Sequence, residues 1–388
     1  MGKIWSFFKK VLLFILNPRL LLCLGIGWII TNGWSYVMLA LGTLLDIKWM
    51  MAVGGGYLAF LWFPMSPEKL ATVAISIALL RILFPNDTKT LGVLKQLNHK
   101  VKAEYMKIVN KRNVTLKNPE VINGAPLYKF GENIYKLEVP FCDIYTAVYI
   151  VKNGENAFII DCADSSADAE NFILPALKEI GVKNGSVKGI FLTHGHGDHI
   201  GGLPPIAKEC KNAKIYGFAR PNIEFPEDRF KIVFDGEIIE ENIKVLLLEG
   251  HDKHNGGYLH LPSKTLFSGD SIELYGLDVY GLLVRHPKLY LESLSKLKKE
   301  KINNIFAAHN LVPLGSEAIG RWASKRYLKC AKECLFDMLD FVKIKSKEGV
   351  TETAEIMALF IKERGKIYKD FPTANFEIII EAIKREYM

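Results

Sequence analysis

Three histidines and one aspartate lie within six consecutive positions of this 388-residue chain: His194, His196, Asp198 and His199. Glycines at 195 and 197 separate them and loosen the local backbone. Imidazole nitrogens and carboxylate oxygens bind divalent metal ions, and a buried cluster of such polar groups must find a partner. The pattern therefore favours a metal centre over a solvated histidine-rich loop.

The elements that would position this cluster are short strands that alternate with helices. Apolar or alternating runs flanked by turn residues predict strands over residues 145–152, 156–161, 187–194, 243–250, 264–270 and 302–309. Helical periodicity predicts helices over 167–181 and 200–210. This alternation is typical of a layered α/β domain, and it places His194 at the end of a strand.

The sequence resembles the metallo-β-lactamase-fold superfamily, whose signature is His-x-His-x-Asp-His after a strand, followed by Gly-Gly. Residues 193–202 read THGHGDHIGG. Later motifs follow in the family's order: Gly250-His251, an FSGD run that ends at Asp270, and a strand that ends at His309. The spacing of 19 residues between His251 and Asp270 is also similar to that of family members. The resemblance covers about residues 125–312, half of the chain, and implies a four-layer αββα sandwich.

The resemblance also implies which residues bind metal. All seven family ligands are present and fall into two sets: His194, His196 and His251 for one ion, Asp198, His199 and His309 for a second, with Asp270 as the bridge. This completeness resembles the dinuclear pattern of glyoxalase II. We therefore expect two divalent metal ions. Zinc suits such nitrogen and oxygen ligands best, and iron or manganese can occupy similar sites in the family.

The expected chemistry follows from the charge of the two ions. Two divalent cations a few ångströms apart would lower the pKa of a bridging water and supply hydroxide next to a polarised electrophile. Asp198 would orient or deprotonate this nucleophile, so Asp198 and the bridging Asp270 are the predicted catalytic residues. The expected reaction is hydrolysis of an ester-like bond in a small molecule: a carboxylic ester, thioester or lactone.

Two other functions compete with this prediction. A phosphodiesterase that acts on a lipid or a nucleotide would use the same metals, and a membrane tether would favour it. A non-catalytic membrane sensor that binds metal belongs to a different class, although complete ligation argues against it. Turnover across a panel of substrate classes separates the three.

The sequence departs from the family pattern in two segments near the expected metal ligands. Where the family usually has Ile-Asp-Thr-Gly, residues 159–165 read IIDCADS, so Asp161 is kept and Ala163 replaces a common glycine. Asp161 is either a support of the ligand residues or a turn residue. After His251 the family commonly has Thr-Pro-Gly-Ser, whereas this chain has Asp-Lys-His-Asn. His254 in that run is either a substrate contact or a surface residue.

Further candidates for substrate contact follow the strand that ends in the bridging aspartate. Related enzymes place substrate-contacting loops in this region. The candidates are Tyr275, Tyr280 and Arg285.

Residues 1–85 carry a membrane pattern. Residues 20–45 contain no charged side chain over 26 positions, more than the roughly 20 that a transmembrane helix needs. Two segments, 49–63 and 71–84, are shorter; each is a short transmembrane helix, a tilted hairpin arm or an interfacial helix. The first 17 residues predict an amphipathic in-plane helix rather than a cleaved signal. Buried helices of a soluble protein are the alternative, but tryptophans at segment ends favour a bilayer.

The net charge of +8 belongs to the first third of the chain. Residues 1–85 carry +5, residues 86–117 carry +6 and residues 118–388 carry −3. Lysines around the apolar segments predict that the catalytic domain faces the cytoplasm from the inner membrane, after an even number of crossings.

Residues 91–112 predict a basic helix that either lies on anionic lipid or forms a solvated linker. The nearly neutral remainder predicts no nucleic-acid partner, and the oligomeric state stays open.

Helical periodicity returns after His309, over residues 318–341, 351–368 and 376–387. Cys330 and Cys334 lie four apart there without a second pair, which predicts buried thiols rather than a metal site. Six cysteines without CxxC spacing favour a reducing compartment.

Taken together, these patterns divide the chain into four expected regions: a membrane region at 1–85, a basic helical linker at 86–117, a metallo-β-lactamase-fold domain at 118–315 and a C-terminal helical extension at 316–388.

Overall fold

The computed structural model describes residues 17–60, 67–87, 90, 119–276, 281–364 and 374–388. The predicted in-plane helix at the N-terminus and nearly all of the basic linker lie outside these described residues. The chain forms two compact units, Met1–Asn98 and His99–Met388.

The described part of the first unit contains three apolar helices: α1 (Pro18–Leu44), α2 (Lys48–Phe60) and α3 (Pro67–Leu83). The Asn17 side chain caps α1 by accepting hydrogen bonds from two backbone amides of its first turn. Among the described residues, α1 is the one helix long and apolar enough to cross a bilayer, and the apolar stretch Ala71–Leu83 is shorter. Helices occur in all three predicted apolar segments, and the number of crossings stays a prediction.

Small and polar side chains lie between these helices. A Cβ atom added at Gly27 of α1 would lie 2.4 Å from Ser76 Oγ of α3, so the two helices approach closely. The hydroxyl oxygens of Thr31 and Thr72 lie 2.6 Å apart between the same helices. Apolar side chains such as Ile29, which is 63% exposed, lie on the outside of the unit. This arrangement is typical of helices packed in lipid.

The second unit is built on two sheets. The first has eight strands in sequential order: β1 (Glu120–Ile122), β2 (Ala125–Phe130), β3 (Ile134–Phe141), β4 (Ile144–Asn153), β5 (Asn156–Ile160), β6 (Val187–Leu192), β7 (Lys214–Gly217) and β8 (Phe230–Ile232). Neighbours from β1 to β5 pair antiparallel, and neighbours from β5 to β8 pair parallel.

The second sheet has the strand order β14-β13-β12-β11-β10-β9. Its strands are β9 (Ile238–Ile239), β10 (Ile243–Leu247), β11 (Gly256–His260), β12 (Thr265–Gly269), β13 (Asn304–Ala307) and β14 (Glu317–Ile319). Its described pairs are antiparallel except for β12 and β13. The six strands predicted from the sequence are therefore present, as β4, β5, β6, β10, β12 and β13.

Eight α-helices belong to the described part of this unit: α4 (Ser166–Asp168), α5 (Leu174–Glu179), α6 (Gly197–Ile200), α7 (Leu203–Glu209), α8 (Pro287–Leu297), α9 (Arg321–Lys347), α10 (Thr353–Arg364) and α11 (Ala374–Tyr387). A π-helical turn, Ala169–Ile173, joins α4 to α5. The predicted helix 318–341 begins late, at Arg321, because residues 317–319 pair with β13 as an edge strand.

Three buried clusters define the layers of the second unit. Aromatic side chains fill the space between the sheets, where Phe191 of β6 stacks on Tyr216 of β7 with ring centroids 4.8 Å apart. One aliphatic cluster joins the first sheet to α5 and α7, and another joins the second sheet to α8, α9, α10 and α11. Two sheets with helices on both outer faces form the predicted four-layer αββα sandwich. Cys330 and Cys334 are buried thiols within α9, as predicted.

Candidate metal centre

Strand ends bring the predicted ligand residues together. His194 follows β6, and the short helix α6 carries Asp198 and His199. In the second sheet β10, β12 and β13 run in the same direction, so their carboxyl ends lie at one edge. The chain beyond each of these strands supplies one further residue: His251, Asp270 or His309. All seven predicted ligand side chains meet at this edge in two groups.

The first group consists of His194, His196 and His251, together with Asp270. His194 Nε2 and His251 Nε2 lie 2.9 Å and 3.2 Å from His196 Nδ1. Asp270 Oδ2 lies 4.0 Å from His194 Nε2 and 3.7 Å from His251 Nε2. Atoms bound to a tetrahedral zinc ion at about 2.0–2.2 Å lie about 3.3–3.6 Å from each other. The first group therefore has the spacing of a metal site.

The second group consists of Asp198, His199 and His309. Asp198 Oδ2 lies 3.3 Å from His199 Nε2 and 3.2 Å from His309 Nε2. Asp270 approaches this group as well, with Oδ2 3.5 Å from His199 Nε2 and Oδ1 3.4 Å from His309 Nε2. The Asp270 carboxylate therefore lies between the two groups, where a bridging ligand would lie.

Hydrogen bonds on the outer side of the rings direct the inner nitrogens towards the centre. His199 Nδ1 donates to Asp161 Oδ2 at 2.8 Å, and His309 Nδ1 donates to the Tyr145 carbonyl oxygen at 2.8 Å. With Nδ1 held as the donor, the Nε2 atoms of both rings would present a lone pair to a metal ion that displaces their protons. His199 Nε2 is buried and has no hydrogen-bond partner among the described residues. A cation between the groups would satisfy this nitrogen, so the donor set fits divalent metal ions.

The two groups differ in protonation. Burial and the neighbouring histidines hold the pKa of His194 well below its usual value. Burial also opposes the charged forms of His199 and His309, but the carboxylates of Asp198 and Asp270 outweigh it. They hold the pKa of His199 well above its usual value and raise that of His309 to about 10. Although burial opposes its ionisation, the same two histidines hold the pKa of Asp270 well below its usual range.

Asp161 combines its two predicted roles, since it supports a ligand residue and also forms a turn. Its Oδ1 accepts a hydrogen bond from the Thr193 amide at 2.8 Å, and its Oδ2 accepts the bond from His199. Its φ of 61° shows that it also forms a tight turn directly after β5. The turn aims the carboxylate at the strand end that carries the metal motif.

Two further supporting residues were missed in the sequence. The Thr146 hydroxyl donates to Asp198 Oδ2 at 3.1 Å. Glu273 is buried, and its Oε1 lies 3.2 Å from His251 Nδ1. An acidic residue three positions after Asp270 in an otherwise apolar run was an available signal for Glu273. No comparable signal marked Thr146, because strand packing alone brings it to Asp198.

The Gly-Gly pair at the end of the metal motif allows close packing. A Cβ atom at Gly201 would lie 1.7 Å from the Asp164 carbonyl oxygen, and one at Gly202 would lie 2.1 Å from the Cys162 carbonyl oxygen. The turn that follows Asp161 therefore lies directly against the end of α6. Any larger residue at either position would push this turn away from the centre.

The predicted substrate residues lie in different environments. His254 is exposed in the loop after His251, and its contact with substrate stays a prediction. The structure does not bring Tyr275 to the centre: it is 1% exposed, and its hydroxyl donates to Asp337 of α9 at 2.9 Å. Arg285 is partly buried, and its role also stays a prediction. Tyr280 lies outside the described residues.

Comparison with known proteins agrees with this geometry. Residues 143–309 match the family model described as the metallo-beta-lactamase superfamily. These residues form a metallo-beta-lactamase superfamily domain. The predicted superfamily and its αββα fold are thereby confirmed for this part of the chain, and relatives of it are named as hydrolases and thioesterases. The fold implies divalent metal ions, which the two groups of histidines and aspartates are arranged to hold.

Relatives of the domain include named hydrolases. The chain is 29% identical over 212 residues to a hydroxyacylglutathione hydrolase of Prochlorococcus marinus, covering 53% of this chain and 78% of the relative. It is 24% identical over 202 residues to an atrochrysone carboxyl ACP thioesterase of a Cryptosporiopsis species, covering 51% and 58%. A solved double mutant of the sec-alkyl sulfatase PisA1 shares the fold at a TM-score of 0.50 and 12% identity, covering 69% and 51%.

Proposed function

We propose that this protein is a membrane-anchored, dinuclear hydrolase that cleaves thioesters of small carboxylic acids. The position of the Asp270 carboxylate, within 4.0 Å of imidazole nitrogens in both groups, carries the proposal. Relatives named as a thioesterase and as a hydroxyacylglutathione hydrolase support the thioester class. The chain matches 58% and 78% of the length of these two relatives.

Each group of side chains would hold one divalent ion in this proposal. Zinc is the preferred ion for imidazole and carboxylate ligands, with iron and manganese as alternatives. When bound, the two ions would supply hydroxide near neutral pH and polarise the thioester carbonyl. His194, His196 and His251 would hold one ion, and the second group would hold the other, with Asp270 shared.

Asp198 would orient the attacking water and accept its proton. The Thr146 hydroxyl fixes the Asp198 carboxylate by donating to its Oδ2. One water is consumed: its oxygen forms a bond to the carbonyl carbon, the carbon–sulfur bond breaks, and the proton leaves with the thiol. The products are a carboxylic acid and a thiol. The His196 side chain, 33% exposed, provides the most open side of the first group for substrate entry.

The test uses the full chain purified in detergent. We expect two metal ions per chain by elemental mass spectrometry, which also identifies the metal. We expect thiol release from a hydroxyacylglutathione and from acyl thioesters of N-acetylcysteamine. Asp270→Asn, which keeps the size of the side chain, is the matched control and should lose turnover. One ion or none in the wild-type chain would contradict the dinuclear assignment.

A panel of carboxylic esters, lactones and phosphodiesters completes the assay. Faster turnover of a phosphodiester than of any thioester would favour the phosphodiesterase alternative. Two bound ions with no turnover in any class would favour a metal-binding sensor. Either result would overturn the thioesterase proposal.

The membrane part of the proposal rests on α1, an apolar helix that is long enough to be a span or a signal segment. In the proposal residues 1–85 anchor the chain, residues 86–117 link it, and the domain at 118–315 with its extension at 316–388 faces the cytoplasm. A reporter fused after Met388 should behave as cytoplasmic in intact cells. An extracytoplasmic signal would contradict this orientation.

A further inference from the structure

The C-terminal helix α11 contacts the segment that leads into α8. Arg385 of α11 donates a guanidinium hydrogen bond to the Arg285 carbonyl oxygen at 2.7 Å. Phe376, also in α11, lies against Gly281, because a Cβ atom added there would lie 3.0 Å from Phe376 Cε2. The match to the family model ends at residue 309. An element outside the matched region therefore packs on a segment inside it.

Glu386 of α11 caps the first turn of α8. The first amides of a helix have no acceptor within the helix, so they need one from elsewhere. His286 precedes α8, and within the described part of the chain its side chain makes no capping hydrogen bond. The Lys288 amide instead donates to Glu386 Oε2 at 2.9 Å. The Glu386 side chain is only 16% exposed, and its negative charge is favourable at the positive end of the helix dipole.

The first turn of α8 packs around His251, a ligand residue of the first group. The His286 amide donates to the Gly250 carbonyl oxygen at 2.9 Å, directly before His251. A Cβ atom added at Gly250 would lie 2.5 Å from Tyr290 Cβ, so the two segments approach closely. The Tyr290 hydroxyl donates to the carbonyl oxygen of Glu273, whose carboxylate lies beside His251 Nδ1. A displacement of α8 would therefore move both the backbone and the side-chain support of His251.

The segment before α8 also contacts His251 directly, since the Leu283 carbonyl oxygen lies 3.1 Å from His251 Nδ1. The supports of the second group come from other elements: Tyr145 and Thr146 belong to β4, and Asp161 follows β5. We therefore expect a change in α11 to affect the first group and to leave the second group in place.

We propose that Glu386 is a positioning residue for the metal ion of the first group, and that it acts by capping α8. The inference rests on the proposed dinuclear centre and adds a role for the C-terminal extension. Because the ion and the cap both stabilise the same arrangement around His251, each strengthens the other by the same factor. A typical helix cap changes an equilibrium constant by about three- to tenfold.

The test measures both metal affinities of the full chain in detergent by chelator competition. Glu386→Ala should weaken the first ion about three- to tenfold and change the affinity of the second by less than about twofold. His196→Ala removes a ligand of the first group and so shows which affinity belongs to that group. Glu386→Gln keeps an oxygen that can accept from Lys288 and should recover most of the loss. An unchanged first affinity in Glu386→Ala, or equal losses at both ions, would overturn the inference.

Glu381→Ala is the matched control. Glu381 lies on the same helix, and its side chain contacts Thr353 at the start of α10 and Lys384. Its loss disturbs α11 away from α8, so both metal affinities should stay within about twofold of the wild type. If Glu381→Ala weakened the first ion as much as Glu386→Ala, any disturbance of α11 would have this effect, and the role of the cap would be overturned.

A measurement on the wild-type chain requires no variant to fold. Since the ion and the cap strengthen each other, metal removal should speed amide hydrogen exchange at residues 288–290, in the first turn of α8, about three- to tenfold. Residues 356–359 of α10 are the control and should exchange at the same rate with and without metal. An unchanged rate at residues 288–290 would overturn the inference.

These results also separate the inference from the proposed function. Two ions in the wild-type chain, together with an unaffected first ion in Glu386→Ala, would overturn the role of Glu386 and leave the dinuclear hydrolase intact. Fewer than two ions in the wild-type chain would overturn both.

Discussion

The two ligand groups of the metal centre differ in exposure and in how their side chains are held. The first group is open on one side, because the His196 side chain is 33% exposed. In the second group His199 is fully buried, and hydrogen bonds from outside the group fix His199, His309 and Asp198. Outer hydrogen bonds therefore hold every residue of the second group, whereas in the first group Glu273 holds His251 and the His196 side chain leaves a wall that substrate can reach.

The groups also differ in the protons they carry. Burial lowers the pKa of His194 and His196, so both imidazoles are neutral and ready to bind metal. His251 is an exception in the first group, because hydrogen bonding and charge from Glu273 raise its pKa against the effect of burial. In the second group His199 and His309 both have raised pKa values. A metal ion that binds the more rigid second group must therefore displace protons from His199 and His309.

Removing the residue that the groups share should have the largest effect. Asp270→Ala deletes the carboxylate between them, so kcat/KM should fall at least about 1,000-fold and metal content should drop below two ions per chain. Asp198→Ala should also abolish turnover but should keep the ion of the first group. Metal content and thioester hydrolysis are measured on both variants, with circular dichroism as the control for folding. Rates like those of the wild type in either variant would contradict the dinuclear assignment.

The second largest effect is expected in the pH dependence of metal affinity, which should differ between the two groups. A metal ion in the second group displaces protons from His199 and His309, so its affinity should rise about tenfold or more per pH unit between about pH 6.5 and 8.5. The affinity of the first group should rise less. Chelator competition at a series of pH values measures both affinities. Equal slopes for the two ions would contradict the proposed difference.

The same raised pKa predicts how the stability of metal-free protein depends on pH. The folded-state pKa of His309 is about 10, above its usual 6.5. Its contribution to the free energy of unfolding is therefore fully present below about pH 6.5 and is lost as the pH rises towards about 10. Thermal unfolding of the metal-free chain should show a falling Tm over this range. A Tm that rises over the same range would contradict it.

Changing the supporting residues should affect one group at a time. Asp161→Asn weakens the hold on His199 and should lower the affinity of the second ion about 10- to 100-fold. Glu273→Gln weakens the hold on His251 and should lower the affinity of the first ion by a similar factor. Each variant is the control for the other, and chelator competition measures both ions. Equal losses at both groups from either variant would mean that the groups are not held independently.

The ligand residues were predictable from the sequence because each one lies at a strand end or within one short motif. His194 and His309 end strands whose apolar runs are visible without a structure. Their supports come from distant chain segments, and only the packing of the two sheets places Tyr145 beside His309, 164 positions away. Tyr275 was predicted to contact substrate, but the structure buries its side chain against α9, where its hydroxyl donates to Asp337. The alternation of strands and helices predicted a layered α/β domain, and the family resemblance supplied its four layers.

The smallest effect is expected in the turn that holds the second group. Ala163 has a φ of 62°, which costs an L-residue about 1–2 kcal/mol and costs glycine almost nothing. Ala163→Gly relieves this strain, but it loses a buried methyl group and adds unfolded-chain entropy, so the free energy of unfolding should change by less than about 1 kcal/mol. Ala157→Gly, at a fully buried position of β5 without a positive φ, is the matched control and should cost about 1–2 kcal/mol. Urea unfolding of both variants measures the difference. Equal losses would show that the turn beside Asp161 stores no strain, and the rigidity of the second group would then rest on its hydrogen bonds alone.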